Sequence, residues 1–448
     1  MILLLATLLI SGLAISATKR PITVEILGYA IACGHALTAV ALFLFSCAGI
    51  LPGPGPLLAL CVLGGIVCYT RKVQLSIVPP AAQVGRCSRG IATLGILVVL
   101  GAAAVLWYTA YVCGIRYWDA LAIWCLKANV LAHEPVLTSG YFQDTTLSFS
   151  HLDYPLLVPF LLAALANTAG DASAFQFADL YVTQLFGTAA IVYGIVRSRA
   201  GIPLGTLAAL TVVTLPTAQR WLPALTADST FSFMLLAAAS AFWQWQRSGE
   251  KRMLAIAMVC LAGVIFTKNE GMAVLLLLPG GTAVICGLRK QWSRLRPLAI
   301  GYGLTLLALT PWFIFRSDLP RTHENYASRI SVTNLLDHSD RLPHVLVAFA
   351  REAATWTHWG LLPVLALVTL ALNARRLREL ELWWIPLFVA SVLGVYIAVI
   401  LVTPWELKHL LPNLSDRLLL HVAPLVVLWC GYYCASHPSP PELADESS

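Results

Sequence analysis

Apolar residues along this chain come in long unbroken runs, not in the alternation of strands or the one-sided stripes of soluble helices. The runs fall at about 1–17, 23–50, 57–70, 92–114, 154–169, 175–196, 203–217, 228–246, 253–267, 271–287, 297–315, 358–373, 381–403 and 418–436. A membrane-crossing helix needs roughly 20 predominantly apolar residues. The pattern therefore predicts an all-α fold, a polytopic membrane helical bundle of about 13 spans. Two further segments read as amphipathic helices lying on the membrane surface. In 119–132, Leu121, Trp124, Ala128 and Leu131 recur at helical spacing with Lys127 on another face; in 342–357, Leu346, Phe349, Ala353 and Trp356 do the same.

Basic residues punctuate the runs at Lys19–Arg20, Arg71 to Arg89, Arg197–Arg199, Arg247 to Arg252, Arg289 to Arg296 and Arg375 to Arg378. Lys and Arg gather in cytoplasmic loops. With these loops inside, segments 115–153, 218–227, 268–270, 316–357 and 404–417 lie outside. Run 154–169 breaks the alternation, because it begins and ends outside. Either it dips into the membrane and returns, or one basic loop is misassigned. The start, Met1 to Ala17, has no basic residue before it, unlike a cleaved signal, and reads as a retained span with its N-terminus outside.

Composition strengthens the membrane reading. Of 448 residues, 58% are hydrophobic and only 11% charged, and mean hydropathy is +0.77; a soluble chain carries about 25% charged residues. The net charge of +7 sits in short loops and forms no basic face of a nucleic-acid-binding fold, so no nucleic-acid partner is expected. Eleven cysteines show no zinc spacing. Neither a metal nor another cofactor is predicted, and membrane lipids are the expected surroundings. The chain divides into N-terminal membrane helices (1–90), a membrane module (91–436) and a polar, Pro-containing tail (437–448).

The chemically useful residues cluster in the outer loops. Asp119, in Tyr117-Trp118-Asp119, reads as a helix cap or as a general base at the membrane boundary. His151, Asp153 and Tyr154 precede run 154–169 as an interfacial turn or a second acid site. Asp228 opens an apolar run, where an acid is costly unless paired or wet. Lys268 and Glu270 occupy a tight turn, where Lys268 pairs locally or holds a phosphate. Lys408, His409 and Arg417 precede the last run, and Arg417 reads as a snorkelling anchor or a fork for a phosphate.

At these residues the chain resembles the polytopic GT-C glycosyltransferases, in particular the bacterial branch related to dolichyl-phosphate-mannose protein mannosyltransferases and lipid A aminoarabinose transferases. Trp118-Asp119, Asp153-Tyr154-Pro155-Leu156-Leu157, Ala227-Asp228, Lys268-Asn269-Glu270-Gly271 and Thr403-Pro404 through Arg417 carry the likeness. Asp119 is followed by Ala120, so the family's acidic pair is missing, and no large soluble domain is present. The resemblance implies a GT-C-like module that moves a sugar from a polyprenyl-phosphate donor to a glycan, lipid or protein acceptor. It also implies an active face that is periplasmic or otherwise extracytoplasmic. Asp119 would be the base, with Asp153 as a second acid. His151, Tyr154, Asp228, Lys268, Glu270, Lys408, His409 and Arg417 would bind donor or substrate. The alternatives are a secondary transporter, a lipid-linked glycan polymerase or ligase, and a non-catalytic scaffold. A transporter would place its ionisable groups near the midplane, whereas here they lie at the ends of the runs.

Overall fold

A computed structural model describes residues 2–17, 22–74, 85–169, 174–320, 326–376 and 379–434. The tail 437–448, the pair Lys19–Arg20 and His323 lie outside the described residues. Among those described there are nineteen α-helices and no strand. The first four are α1 (Ile2–Ser16), α2 (Val24–Cys47), α3 (Pro54–Thr70) and α4 (Arg86–Cys113). A π-helical turn, Ala120–Cys125, leads into α5 (Leu126–His133), and two 3-10 turns later comes α6 (Leu157–Ala169). The middle holds α7 (Ala174–Thr214), α8 (Pro216–Trp221), α9 (Ala227–Ser248), α10 (Lys251–Thr267), α11 (Gly271–Leu288) and α12 (Leu295–Ser317). Short helices come next, α13 (Tyr326–Arg329), α14 (Val332–Asp337), α15 (Leu342–Ala353) and α16 (Trp356–Trp359), before α17 (Leu362–Leu372), α18 (Leu380–Leu401) and α19 (Leu407–Tyr433).

Seven of these are long and apolar enough to cross a membrane: α2, α4, α7, α11, α12, α18 and α19. Most of the other expected spans correspond to shorter helices, with α1, α3, α6, α10 and α17 running to 15, 17, 13, 17 and 11 residues. The outer faces of α4 and α12 expose Leu94, Ile96, Leu97, Leu100, Ile300, Leu304 and Leu307. Contiguous apolar surface of that kind is not left in water; it suits hydrocarbon. The opposite extreme is α9, which is buried from Ala227 to Trp243 and packs on α10, α19, α7, α11 and α2. A polar-tolerant helix survives at the centre because protein, not lipid, surrounds it.

The runs 175–196 and 203–217 are the two arms of α7. At Gly201, φ is 80° and ψ 176°, a combination accessible essentially to glycine alone. The chain reverses there: a Cβ on Gly205 would touch the carbonyl of Tyr193 and the side chain of Arg197, a contact no straight helix allows. Pro203 sits in the first turn of the second arm, where its missing N–H costs nothing.

The discordant run 154–169 becomes α6, whose 13 residues reach only about 20 Å, short of the roughly 30 Å hydrocarbon core. Leu157 to Leu165 are buried on all sides. At the far end Asn167 donates to the carbonyls of Pro52 and Ala132 at 2.6 and 3.0 Å. The α2–α3 turn, the end of α5 and the end of α6 therefore meet.

The surface helix expected over 119–132 is different in kind. The π-turn replaces i→i+4 bonds by i→i+5, which shifts the faces of the residues after it. Lys127 is consequently buried with Ala128 and Leu131, while Leu121 is exposed. The helix packs along α6. In 342–357 the helix is α15, which stops at Ala353. Val345 and Phe349 are buried where it packs on α18 and α19, and Leu346 and Trp356 stay exposed.

Charged groups fall at two levels. Arg199 stacks over Tyr432 and Tyr433, Arg247 over Trp243 and Tyr432, and Arg376 over Tyr433. Arg247 also pairs with Glu381 at 2.5 Å. Four of the sequence's basic positions thus belong to one layer, since Arg294 donates to the carbonyls of Trp245 and Gln246 at the end of α9. Asp228 and Arg247 lie about 28 Å apart along α9, and Arg417 and Tyr433 about 24 Å apart along α19. The acidic cluster and the basic layer are separated by about one hydrocarbon thickness.

Helices α1 and α2 cross at glycines. A Cβ on Gly12 would lie 1.7 Å from the carbonyl oxygen of Ala30, and one on Gly34 would lie 1.8 Å from that of Leu8. Small residues let membrane helices approach closely where no hydrophobic effect drives them together. Gly34→Val is expected to lower the thermal unfolding temperature of detergent-purified protein, at an overpacking cost of about 1–3 kcal/mol or more. An unchanged melting curve would show that the two helices separate without penalty.

Candidate functional site

The site is built on the carboxylate of Asp228, in the first turn of α9 and 1% exposed. Thr226 is the N-cap, so Asp228 does not serve as the cap. Before it, Leu225 takes φ 58° while fully buried, an uncommon and strained conformation for a branched residue. Oδ1 accepts from Lys268 Nζ at 2.8 Å and from His421 Nε2 at 3.1 Å. Oδ2 accepts from Arg417 Nε at 3.1 Å and Nη2 at 2.8 Å. A carboxylate offers about four lone-pair positions, and here all four are taken within the protein.

Each donor is held in turn. Lys268 comes directly after α10 in extended conformation and also pairs with Glu270 at 3.0 Å. Burial works against its charge, but Asp228 and then Glu270 outweigh it and hold the amine above its ordinary value. His421 lies one turn beyond Arg417 on α19. With Nε2–H directed to Asp228, its Nδ1 accepts from the Tyr396 hydroxyl of α18 at 2.8 Å. Arg417 stacks 5.1 Å over Trp221, the last residue of α8. The Trp221 indole N–H donates to Asp416 at 2.8 Å, and Arg220 pairs with Asp416 at 3.3 Å.

Arg417 has a second carboxylate. Its Nη2 lies 2.5 Å from Asp119 Oδ2, so one guanidinium nitrogen bridges Asp119 and Asp228. Asp119 makes no helix-capping bond. Its side chain is 29% exposed, against 1% for Asp228 and 18% for Arg417. The cluster therefore grades from a sealed acid to an accessible one, with a forked cation between.

A second cluster gathers Lys127, His151, Asp153 and Tyr154. Lys127 is fully buried, donates to the carbonyl of His151 and lies 5.6 Å over the Tyr154 ring. His151 stacks on Tyr154 at 4.4 Å and takes φ 52°, a left-handed conformation in which histidine is enriched. Asp153 pairs with Arg316 of α12 at 3.6 Å. Burial pulls the Lys127 amine down to about 7, with Asp153 partly opposing. Lys408 and His409 are elsewhere: both are exposed and pair with Glu406 at 2.9 and 3.6 Å.

Of the residues singled out in the sequence, Asp119, Asp228, Lys268, Glu270 and Arg417 come together, His151, Asp153 and Tyr154 form a separate group, and Lys408 and His409 join neither. Sequence reasoning missed His421, Tyr396, Trp221 and Lys127. His421 had a legible signal, being four residues after Arg417 and so on the same helix face. Tyr396 and Lys127 had none, because their partners come from other helices. Among the described residues no three His, Cys, Asp or Glu side chains are grouped as for a metal ion. No protein-family model, curated protein or solved structure matches the chain.

This geometry has two measurable consequences. Asp228→Ala removes the shared carboxylate and leaves Lys268 with Glu270 alone and Arg417 with Asp119 alone, and removing one partner of a buried pair costs about 3–5 kcal/mol. Thermal unfolding in detergent should show that loss, whereas Asp119→Asn should leave the melting temperature nearly unchanged. Equal melting curves for both would mean that Asp228 is not the anchor.

The second concerns Lys127. Between about pH 7 and 10.5 the folded chain holds the amine neutral while the unfolded chain binds its proton. Stability contributed at this position therefore rises with pH across that window, by at most about 1.4 kcal/mol per pH unit. Below pH 7 the amine is charged in both states and the burial penalty is complete. Relative to Lys127→Met, the wild type should gain melting temperature as pH goes from 7 toward 10; a flat difference would place the amine at its ordinary value.

Proposed function

We propose that this protein is an integral membrane glycosyltransferase that moves a sugar from a polyprenyl-phosphate donor to an acceptor hydroxyl at the non-cytoplasmic face. The observation that carries the reading is the shared guanidinium of Arg417. It joins an accessible acid, Asp119, to a sealed acid, Asp228, with Lys268 behind. Sugar transfer from a lipid phosphate needs a base for the incoming hydroxyl and cations for the leaving phosphate, and this cluster offers both within one hydrogen-bonded unit.

The resting pair suggests its own activation. A guanidinium presents a planar fork that matches phosphate. A donor phosphate arriving on Arg417 displaces Asp119, while the fourfold contacts of Asp228 keep Arg417 and Lys268 in place. Asp119, released, takes the proton of the acceptor hydroxyl as the acceptor oxygen bonds to the anomeric carbon. The bond from that carbon to the phosphate oxygen breaks, and the phosphate leaves with its electron pair, stabilised by Arg417 and Lys268. Asp228 has no free acceptor position, so its part is to position cations. The module from 91 to 436 would be GT-C-like, and crossings by α1, α3, α9, α10 and the second arm of α7 would bring the count toward thirteen.

Purified protein, given a polyprenyl-phosphate hexose and membrane extract as acceptor source, should release polyprenyl phosphate. Asp119→Asn should lower that rate by about 10²–10⁴-fold, the usual contribution of a positioned general base, while leaving folding intact. No release by the wild type, or full activity in the variant, overturns the reading.

Orientation has a test in native residues. Among the cysteines only Cys87 and Cys113 are exposed, and they mark opposite ends of α4. An impermeant maleimide applied to intact cells should label Cys113 and reach Cys87 only after permeabilisation. The reverse pattern would put the Asp119 cluster on the cytoplasmic side.

A further inference from the structure

A cavity of about 1010 Å³ lies on the flank of the bundle among α1, α2, α4 and α7, helices that supply no charged group to the Asp228 cluster. Its walls are apolar along most of their length, with Ile31, Ile96, Val99 and Phe186 among them. Its volume matches the upper end of the roughly 300–1,000 Å³ found for small-molecule sites. One end is polar. Arg89 and Arg197 both line it there, together with Thr206. Arg197 stacks 5.8 Å over Tyr193, Glu25 lies against Gly194, and among the described residues no carboxylate pairs with either arginine. Thr206 is 5% exposed, yet its hydroxyl has no hydrogen-bond partner. A buried hydroxyl left unpaired costs free energy, and here it stands beside two unpaired cations at the mouth of an apolar slot.

We propose that this groove is a binding site for one anionic phospholipid of the leaflet at the basic end. Its phosphate lies between Arg89 and Arg197, Thr206 Oγ1 donates to a headgroup or ester oxygen, and the acyl chains run along Ile96, Val99 and Phe186. The charge complementarity selects the head: basic pockets between membrane helices attract phosphate headgroups. Along α4 the lining runs from Arg89 to Trp107, about 27 Å, so it is longer than the roughly 15 Å half-core that one leaflet's chains occupy and contains them. The site is independent of sugar transfer, because it lies at the end of the bundle opposite Asp119.

Native mass spectrometry of the full chain in mild detergent, titrated with phosphatidylglycerol and separately with phosphatidylcholine, tests the assignment. One phosphatidylglycerol should be retained in preference to phosphatidylcholine, and millimolar inorganic phosphate should not displace it. Arg89→Ala with Arg197→Ala should weaken retention about 30-fold, Thr206→Val more modestly, and Val99→Trp should block it by filling the slot. Arg89→Ala alone changes an exposed residue, so its reduced retention is readable even if another variant folds poorly. Retention equal to wild type in the arginine variants, no preference between the two lipids, displacement by inorganic phosphate, or retention of a polyprenyl phosphate instead would each overturn the proposal.

Discussion

The carboxylate of Asp228 is the constraint on which one end of this bundle depends. A buried, ionised acid is tolerated only when charged donors replace the water it has lost. Asp228 meets that demand with Lys268 from the α10–α11 turn and with Arg417 and His421 from α19. Three parts of the chain far apart in sequence, α9, the α10–α11 turn and α19, are thereby fixed relative to one another. Asp119 is drawn in as a fourth through the same guanidinium, and Trp221 supports that guanidinium from α8. The arrangement makes α9 the axis of the site, which is why so many polar residues survive on a helix with no exposed face.

At the other end a different physics closes the bundle. Arg199, Arg247 and Arg376 lie over Tyr432, Tyr433 and Trp243, using ring faces more than carboxylates as counterparts. Arginine suits this role because its planar, weakly hydrated cation stacks on aromatics. Helix α19 threads both layers, with Arg417 near one end and Tyr432 and Tyr433 at the other. A bundle clamped at two levels about 25 Å apart has the dimensions of a membrane-spanning body, and the apolar outer faces of α4 and α12 cover the distance between.

The proposed chemistry depends on a division of labour among acids that look alike in sequence. Asp228 is saturated, and its stability value lies in holding cations together. Asp119 has one protein partner and a side chain 29% exposed, so it can exchange a guanidinium for a proton; Glu270, 28% exposed, pairs with Lys268 instead. The Lys127 group is a separate unit, tied to α6 and α12, not to α9. Its buried amine and the left-handed His151 backbone stabilise each other through one hydrogen bond.

Composition and run lengths by themselves determined that the chain is all-helical and suited to a membrane, because a shortage of charge and runs of apolar residues leave few other solutions. They also grouped Asp119, Asp228, Lys268, Glu270 and Arg417 on one side, since each sits where an apolar run meets a loop and the basic loops fix the alternation. Tertiary structure decided what those residues do to one another. Nothing in a linear chain shows that Asp228 is sealed and Asp119 open, because exposure depends on which helices pack around each. The burial of Lys127 was hidden by a π-turn that shifts the helical register. The reversal at Gly201 was legible as a break between two runs, whereas the seating of the end of α6 beside the α2–α3 turn was not, because that contact joins residues 115 positions apart. Helix type is set by local composition; pairing, burial and access are set by contacts between residues up to 298 positions apart, and those exist only once the bundle has formed.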